Sequence, residues 1–140
     1  MSSDQETVAA VDLVTGFLRL MEERDLGAAS RCLAPDADIV FPGNRRFADL
    51  DDLVESARKR YRKVTKTIEL VDSWNDDAET VVYVIGRLSG VSASGAVFKD
   101  VRFIDRLVVR EGLIADHQVW NDLAETGIIL NQESPEESSI

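Results

Sequence analysis

The chain's one histidine, His117, follows Asp105 in a segment that reads as two strands folded back on each other. The segment is VRFIDRLVVREGLIADHQVWNDL, Val101 to Leu123, with its turn at Arg110-Glu111-Gly112. A three-residue loop with glycine last suits a type I turn plus a left-handed bulge, which pairs Val109 with Leu113. Counting back, Leu107 faces Ala115, Asp105 faces His117, Phe103 faces Val119 and Val101 faces Asn121. Side chains alternate along a strand, so these residues share one mostly apolar surface. An acid beside an imidazole there has two readings. The carboxylate orients the ring and fixes its tautomer, leaving the second nitrogen as a general base. Otherwise the two are a hydrogen-bonded polar pair that fills a wide sheet.

Other side chains are weighed against the same surface. Asn121 lies two residues beyond Val119 and either donates to a ligand carbonyl or caps the loop beside it. Tyr61 falls on the apolar stripe of a helix, where its hydroxyl either reaches a cavity or is the wet tip of a core residue. Arg45 and Arg46 follow Pro42-Gly43-Asn44 and read as solvated loop residues, with recognition of an acidic ligand as the alternative. Asp36 and Asp38 alternate with apolar neighbours and point to solvent. Trp74 reads as a lid on the core. Cys32, among apolar residues, reads as a structural thiol. The cluster Arg58, Lys59, Arg60, Arg62, Lys63 and Lys66 reads as a solvated helix face.

Composition bounds what these residues serve. A chain of 140 residues with 30% charged and 44% hydrophobic side chains is one ordinary globular domain. Its net charge of −10 argues against a phosphate-backbone partner such as nucleic acid. No apolar run approaches the roughly 20 residues of a membrane span, and the polar start MSSDQET does not resemble a targeting peptide. With one cysteine there is no internal disulfide and no zinc cluster; ligand spacing supports no metal, and no cofactor is expected. A cytoplasmic location is the expectation that remains.

The elements follow from hydrophobic period. Val11, Val14, Phe17, Leu18 and Met21 mark a first helix. Asp25 caps a short second helix through Leu26, Ala29, Cys32 and Leu33, ended by Pro35. Asp36 to Phe41 is a short strand closed by Pro42-Gly43. Asp49 caps a third helix with the stripe Leu50, Leu53, Val54, Ala57, Tyr61 and Val64. The period then changes to two: residues 66–74, 79–91, 97–110 and 113–123 are four strands in a row. Helices followed by hairpin-linked strands predict an α+β domain over residues 1–130, a curved antiparallel sheet wrapped around three N-terminal helices. Residues 131–140, rich in Glu and Ser, predict a disordered acidic tail.

This order of elements, with the stretches AASRCLAPDADIVFPG and RFIDRLVVREGLIADHQVWNDL, resembles the nuclear transport factor 2-like superfamily over residues 8–124. Its SnoaL-like branch of polyketide cyclases, ketosteroid isomerases and limonene epoxide hydrolases is the most similar. The resemblance implies a cystatin-like, cone-shaped half barrel around an apolar cavity. Ketosteroid isomerases have a general-base aspartate where this chain has Phe41, and an oxyanion-binding tyrosine whose nearest match is Phe17. Their second oxyanion donor, an aspartate, matches Asp105. Cyclases and epoxide hydrolases place an acid where Val119 stands, and the cyclases' histidine matches His117. The isomerase and epoxide-hydrolase mechanisms therefore do not carry over, while the Asp105 and His117 pair does.

The expectation is a cofactor-independent isomerase, cyclase, dehydratase or hydrolase acting on a small apolar carbonyl compound. His117 moves the proton, Asp105 holds the ring, and Asn121 or Tyr61 steadies the developing oxygen charge. Phe17, Phe41, Phe103 and Val119 supply the apolar wall. The alternatives are a non-catalytic binder of a hydrophobic ligand, or a dimeric interaction protein with a closed cavity. On the opposite face, Ile104, Val108, Ile114 and Trp120 among Arg102, Arg106, Asp116 and Gln118 predict a partner surface. Relatives pair through that face, which implies a two-fold homodimer.

Overall fold

A computed structural model describes residues 3–127. The tail expected at 131–140 lies outside them. Helix α1 spans Ser3–Glu22 and turns Val14, Phe17 and Leu18 into the core, as their helical spacing requires. Helix α2, Leu26–Ser30, is capped by Asp25, whose carboxylate accepts from the Ala28 N–H. Helix α3, Leu50–Arg58, is capped in the same way by Asp49 and buries Leu50, Leu53 and Val54.

Six strands form one sheet: β1 Leu33–Phe41, β2 Arg45–Phe47, β3 Tyr61–Asp76, β4 Glu79–Ser92, β5 Val97–Arg110 and β6 Leu113–Asn121. Their order is β2-β1-β6-β5-β4-β3, antiparallel throughout except for the parallel pair β1 and β6. The sheet is curved and open, with the helices packed in its concave face. Val14, Phe17, Leu53 and Val54 meet Val82, Val84, Phe103, Leu107 and Ile114 there. The α+β half barrel is the architecture the sequence implied.

Three boundaries differ from expectation. Helix α3 stops at Arg58, so Tyr61 and Val64, expected on its stripe, belong to β3, which begins at Tyr61 and not at residue 66. The β-branched run Val64, Thr65, Thr67, Ile68 favours a strand, and β4 supplies a partner along that length. Helix α2 ends at Ser30, and β1 already begins at Leu33. Pro35, which has no N–H to give a ladder, falls in the break in pairing between Leu33 and Asp38. Arg45 and Arg46, expected in a loop, form the short strand β2 against β1.

The β5–β6 hairpin also has a different register. Its turn has two residues, with Arg110 opposite Leu113 and positive φ at both Glu111 (53°) and Gly112 (77°). That is the type I′ geometry, whose twist matches the flanking strands. Two residues instead of three would turn His117 to the outer face, because a one-residue slip swaps the faces. A bulge at Ala115 restores the phase: Val109 pairs with Ile114, but Val108 pairs with Asp116. His117 is therefore inward after all, opposite Leu107, while Asp105 faces Val119 and Phe103 faces Asn121. Ile114 precedes the bulge, so the two-residue turn alone sets its facing: it lies opposite Val109, points inward, is fully buried and leaves the outer-face group.

Candidate functional site

Between the helices and the concave sheet lies a cavity of about 460 Å³. Phe17, Phe41, Tyr61, Phe103, His117, Val119 and Asn121 all border it. Asp105 does not. It is fully buried beneath the cavity wall and touches the site only through its neighbours. Asp105 and His117 are diagonal rather than directly opposite, and they still meet: His117 Nε2 lies 3.3 Å from Asp105 Oδ2.

The same Oδ2 accepts from Lys66 Nζ at 2.5 Å. Lys66, expected both in a solvated basic cluster and at the start of a strand, lies on β3 with its side chain pointing inward and bordering the cavity, 24% exposed. The available signal was its phase, since Lys66 alternates with Val64 and Ile68 on one face of a strand. Its ammonium also sits 4.8 Å above the centre of the Phe103 ring, a favourable cation–π position. Reaching β5 from β3 requires crossing β4, and Gly86 allows it. A β-carbon at Gly86 would lie 2.0 Å from the Thr67 carbonyl oxygen and 3.0 Å from the Phe103 ring.

Charge state follows from these contacts. Burial pushes the Asp105 carboxyl up, but the Lys66 ammonium and the His117 ring together outweigh it and hold the group below its ordinary value. Asp105 is thus an anion with two donors on one oxygen. A neutral His117 ring gives its Nε2 proton to that oxygen, which leaves the lone pair on Nδ1. Nδ1 and Asp105 Oδ1 are buried and meet no hydrogen-bond partner among the described residues. The ring is gripped edge-on by Phe17 and Phe41, at centroid distances of 5.7 and 5.8 Å.

Asn121 Oδ1 accepts from the Leu123 N–H at 3.1 Å, so it caps the following turn while its side chain borders the cavity. Tyr61 packs edge-on against Phe98. Burial raises the Tyr61 hydroxyl, partly offset by the nearby Arg60 and Arg45 guanidiniums. Arg45 borders the cavity, whereas Arg46 pairs with Asp38 on the exposed side of β1. Burial also raises the Cys32 thiol, which donates to the Ala28 carbonyl. Trp74 is not a lid on the core: it stacks on Tyr83 at the outer face, 47% exposed. Among the described residues no group of three His, Cys, Asp or Glu side chains could hold a metal ion. Nor is any described helix long and apolar enough to cross a membrane.

No family model and no curated protein matches the chain. Solved structures do. An NTF2-like protein of unknown function from Burkholderia pseudomallei K96243 superposes with a TM-score of 0.71 at 14% identity, covering 88% of this chain and 98% of that one. A candidate SnoaL-like polyketide cyclase from Jannaschia sp. CCS1 gives 0.62 at 16% identity, covering 91% and 95%. A candidate dehydratase of the NTF2-like family from Streptomyces avermitilis gives 0.67 at 14% identity, covering 84% and 96%. Each superposition extends over nearly the full length of the neighbour. The chain therefore has the nuclear transport factor 2-like fold.

Proposed function

We propose that this protein binds a small apolar carbonyl compound in the cavity and catalyses a proton transfer on it without a cofactor, in the manner of the SnoaL-like branch. The observation that carries this reading is the Lys66–Asp105–His117 array at the cavity wall. Burying three ionisable groups costs free energy that an apolar filling would avoid, and here they converge on one oxygen beside an apolar void. Lys66, with N–H bonds to spare beyond its bond to Asp105, polarises the substrate carbonyl and stabilises the enolate. His117 Nδ1 takes the proton from the adjacent carbon. Asp105 is a positioning residue: it fixes the ring tautomer, balances the Lys66 ammonium and stabilises the imidazolium formed when Nδ1 takes the proton. Asn121 and Tyr61 are further donors toward the oxygen. The structures named for a polyketide cyclase and a dehydratase suit this class of chemistry.

One observation favours a second reading, a non-catalytic binder. His117 is only 4% exposed and lies between two phenylalanines, so a ligand meets Lys66 before it meets the imidazole. Deuterium uptake into the α-position of 2-acetylnaphthalene in D₂O, followed by NMR, separates the two. Catalysis predicts exchange well above background that falls by about 10²–10⁴-fold in His117→Gln. Binding of the ketone with no exchange above background would leave the binder.

The outer face of the sheet carries a second proposal. Leu70, Trp74, Ile104 and Trp120 are exposed there, at 49, 47, 38 and 50%. An apolar face of that kind suits a second copy of the chain in a two-fold dimer.

A further inference from the structure

The imidazole that the proposed proton transfer needs is covered. His117 borders the cavity, yet it is 4% exposed, and its Nδ1 is buried without a partner among the described residues. Two phenyl rings close over it edge-on, and the chain holds them differently. Phe17 is 1% exposed on the core face of α1 beside Val14 and Leu18, so displacing it would open the close-packed core. Phe41 is half-buried and ends β1, where the chain turns through Pro42-Gly43-Asn44. Gly43 and Asn44 both have positive φ, 83° and 60°, conformations that these two residue types tolerate.

That turn leads into β2, which pairs with β1 over three residues at the edge of the sheet. Phe47 on β2 packs edge-on against Phe41, with 5.6 Å between ring centres, and both rings border the cavity. On the outer side Arg46 is clasped to Asp38, with the two side chains 60% and 48% exposed. An exposed ion pair holds weakly because water screens it. A short edge strand with an exposed clasp belongs to the low-stability end of a fold, and it opens locally while the long strands stay paired. The buried lone pair on Nδ1 favours that opening, since an acceptor kept from water without a donor costs free energy.

We propose that the β1–β2 hairpin is the gate to His117. As β2 lifts from β1 it takes Phe47 with it, and Phe41, without that packing partner, swings off the imidazole and opens Nδ1 to the cavity. Phe17 and Asp105 stay in place, so the ring keeps its tautomer and its orientation while the lone pair is uncovered. Return of the hairpin over a bound ligand then shuts water out of the reaction, as mobile loops do in other enzymes. The gate deepens the proton-transfer reading and rests on it for its purpose; the motion itself needs no substrate.

His117 is the one histidine in the chain, so diethyl pyrocarbonate, which acylates a neutral imidazole nitrogen, reports on this ring through the absorbance of its product. In the full-length protein without substrate the reaction should run about tenfold or more slower than with free imidazole, because the ring reacts only in the open state. Arg46→Ala removes the clasp without altering a residue that borders the cavity, and should speed the reaction about two- to fivefold. Phe41→Ala should speed it by about tenfold or more. A rate in the unaltered protein equal to that of free imidazole would mean that the ring is not covered and would overturn the gate. So would an unchanged rate in Arg46→Ala; this substitution lies on the surface, so the outcome stands even where Phe41→Ala fails to fold. Faster acylation in both variants, with no deuterium exchange above background in the unaltered protein, would leave the gate standing and sink the proton-transfer reading.

Discussion

Asp105 shows how a buried carboxylate is kept charged. Its folded value lies below the ordinary one because two donors share its Oδ2, despite complete burial. The unfolded chain therefore binds more protons as the pH falls. The stability Asp105 contributes is present above the unfolded carboxylate value of about 3.9 and is lost as the pH drops through the lower folded value. Lys66→Met should reverse that sign. With the ammonium gone, burial is the largest influence and pushes Asp105 up, so folding takes up a proton. The variant should lose about 3–5 kcal/mol near neutral pH, and the deficit should narrow toward pH 5 as Asp105 protonates. Urea unfolding at both pH values checks this; an equal deficit at each would mean that Lys66 does not hold the charge. Asp105 and His117 were legible as a pair because their spacing in a hairpin leaves few options. Lys66 was not, since a lysine beside five other basic residues carries no sign of being the inward one.

The elements that position this array are β3, β4 and the β5–β6 hairpin. Two glycines on the inner face of β4 let β3 approach closely: a β-carbon at Gly86 or Gly90 would sit 2.0 Å from the backbone oxygen of Thr67 or Lys63. Gly86→Ala should therefore force β3 and the Phe103 ring apart, costing about 1–3 kcal/mol as overpacking does. It should also lengthen the reach of Lys66 to Asp105. Thermal unfolding gives the first effect; a Tm equal to that of the unaltered protein would show that β3 yields freely. Strand existence was plain from the period-two pattern, and so was the hairpin. Its register was not. Glu111-Gly112 supports either a two- or a three-residue turn, and a bulge at Ala115 costs too little to leave a sequence mark. Two departures of one residue each, one in the turn and one in the bulge, cancelled in the facing of His117 and did not cancel in that of Ile114.

For the molecule as a whole, an open curved sheet leaves two surfaces to account for. The concave one holds helices and cavity. The convex one exposes Leu70, Trp74, Ile104 and Trp120, beside an Arg106–Asp116 ion pair that fixes the polar residues among them. The proposed dimer buries this apolar face, so light scattering should give twice the chain mass at micromolar concentration. Leu70→Glu/Trp120→Glu should bring it to the monomer mass by placing unpaired charges at the joint. A monomer from the unaltered chain would refute the pairing. That exposed apolar face was half legible: Ile104 and Trp120 were read from β5 and β6, while Leu70 and Trp74 come from β3, where Trp74 had been read as facing the core.

Hydrophobic period and capping residues are local quantities, and they specified the helices, the strands, the α+β class and the apolar phase that carries Asp105 and Phe103. Which side chains share an oxygen is a long-range outcome. Lys66 meets Asp105 only because β3 crosses close over Gly86, and Arg45 and Arg60 flank Tyr61 only because β2 and the end of α3 meet at one end of the cavity. Strand order, register and sheet curvature set those distances, and each depends on pairings between residues far apart in the chain, about which a single sequence carries no direct record.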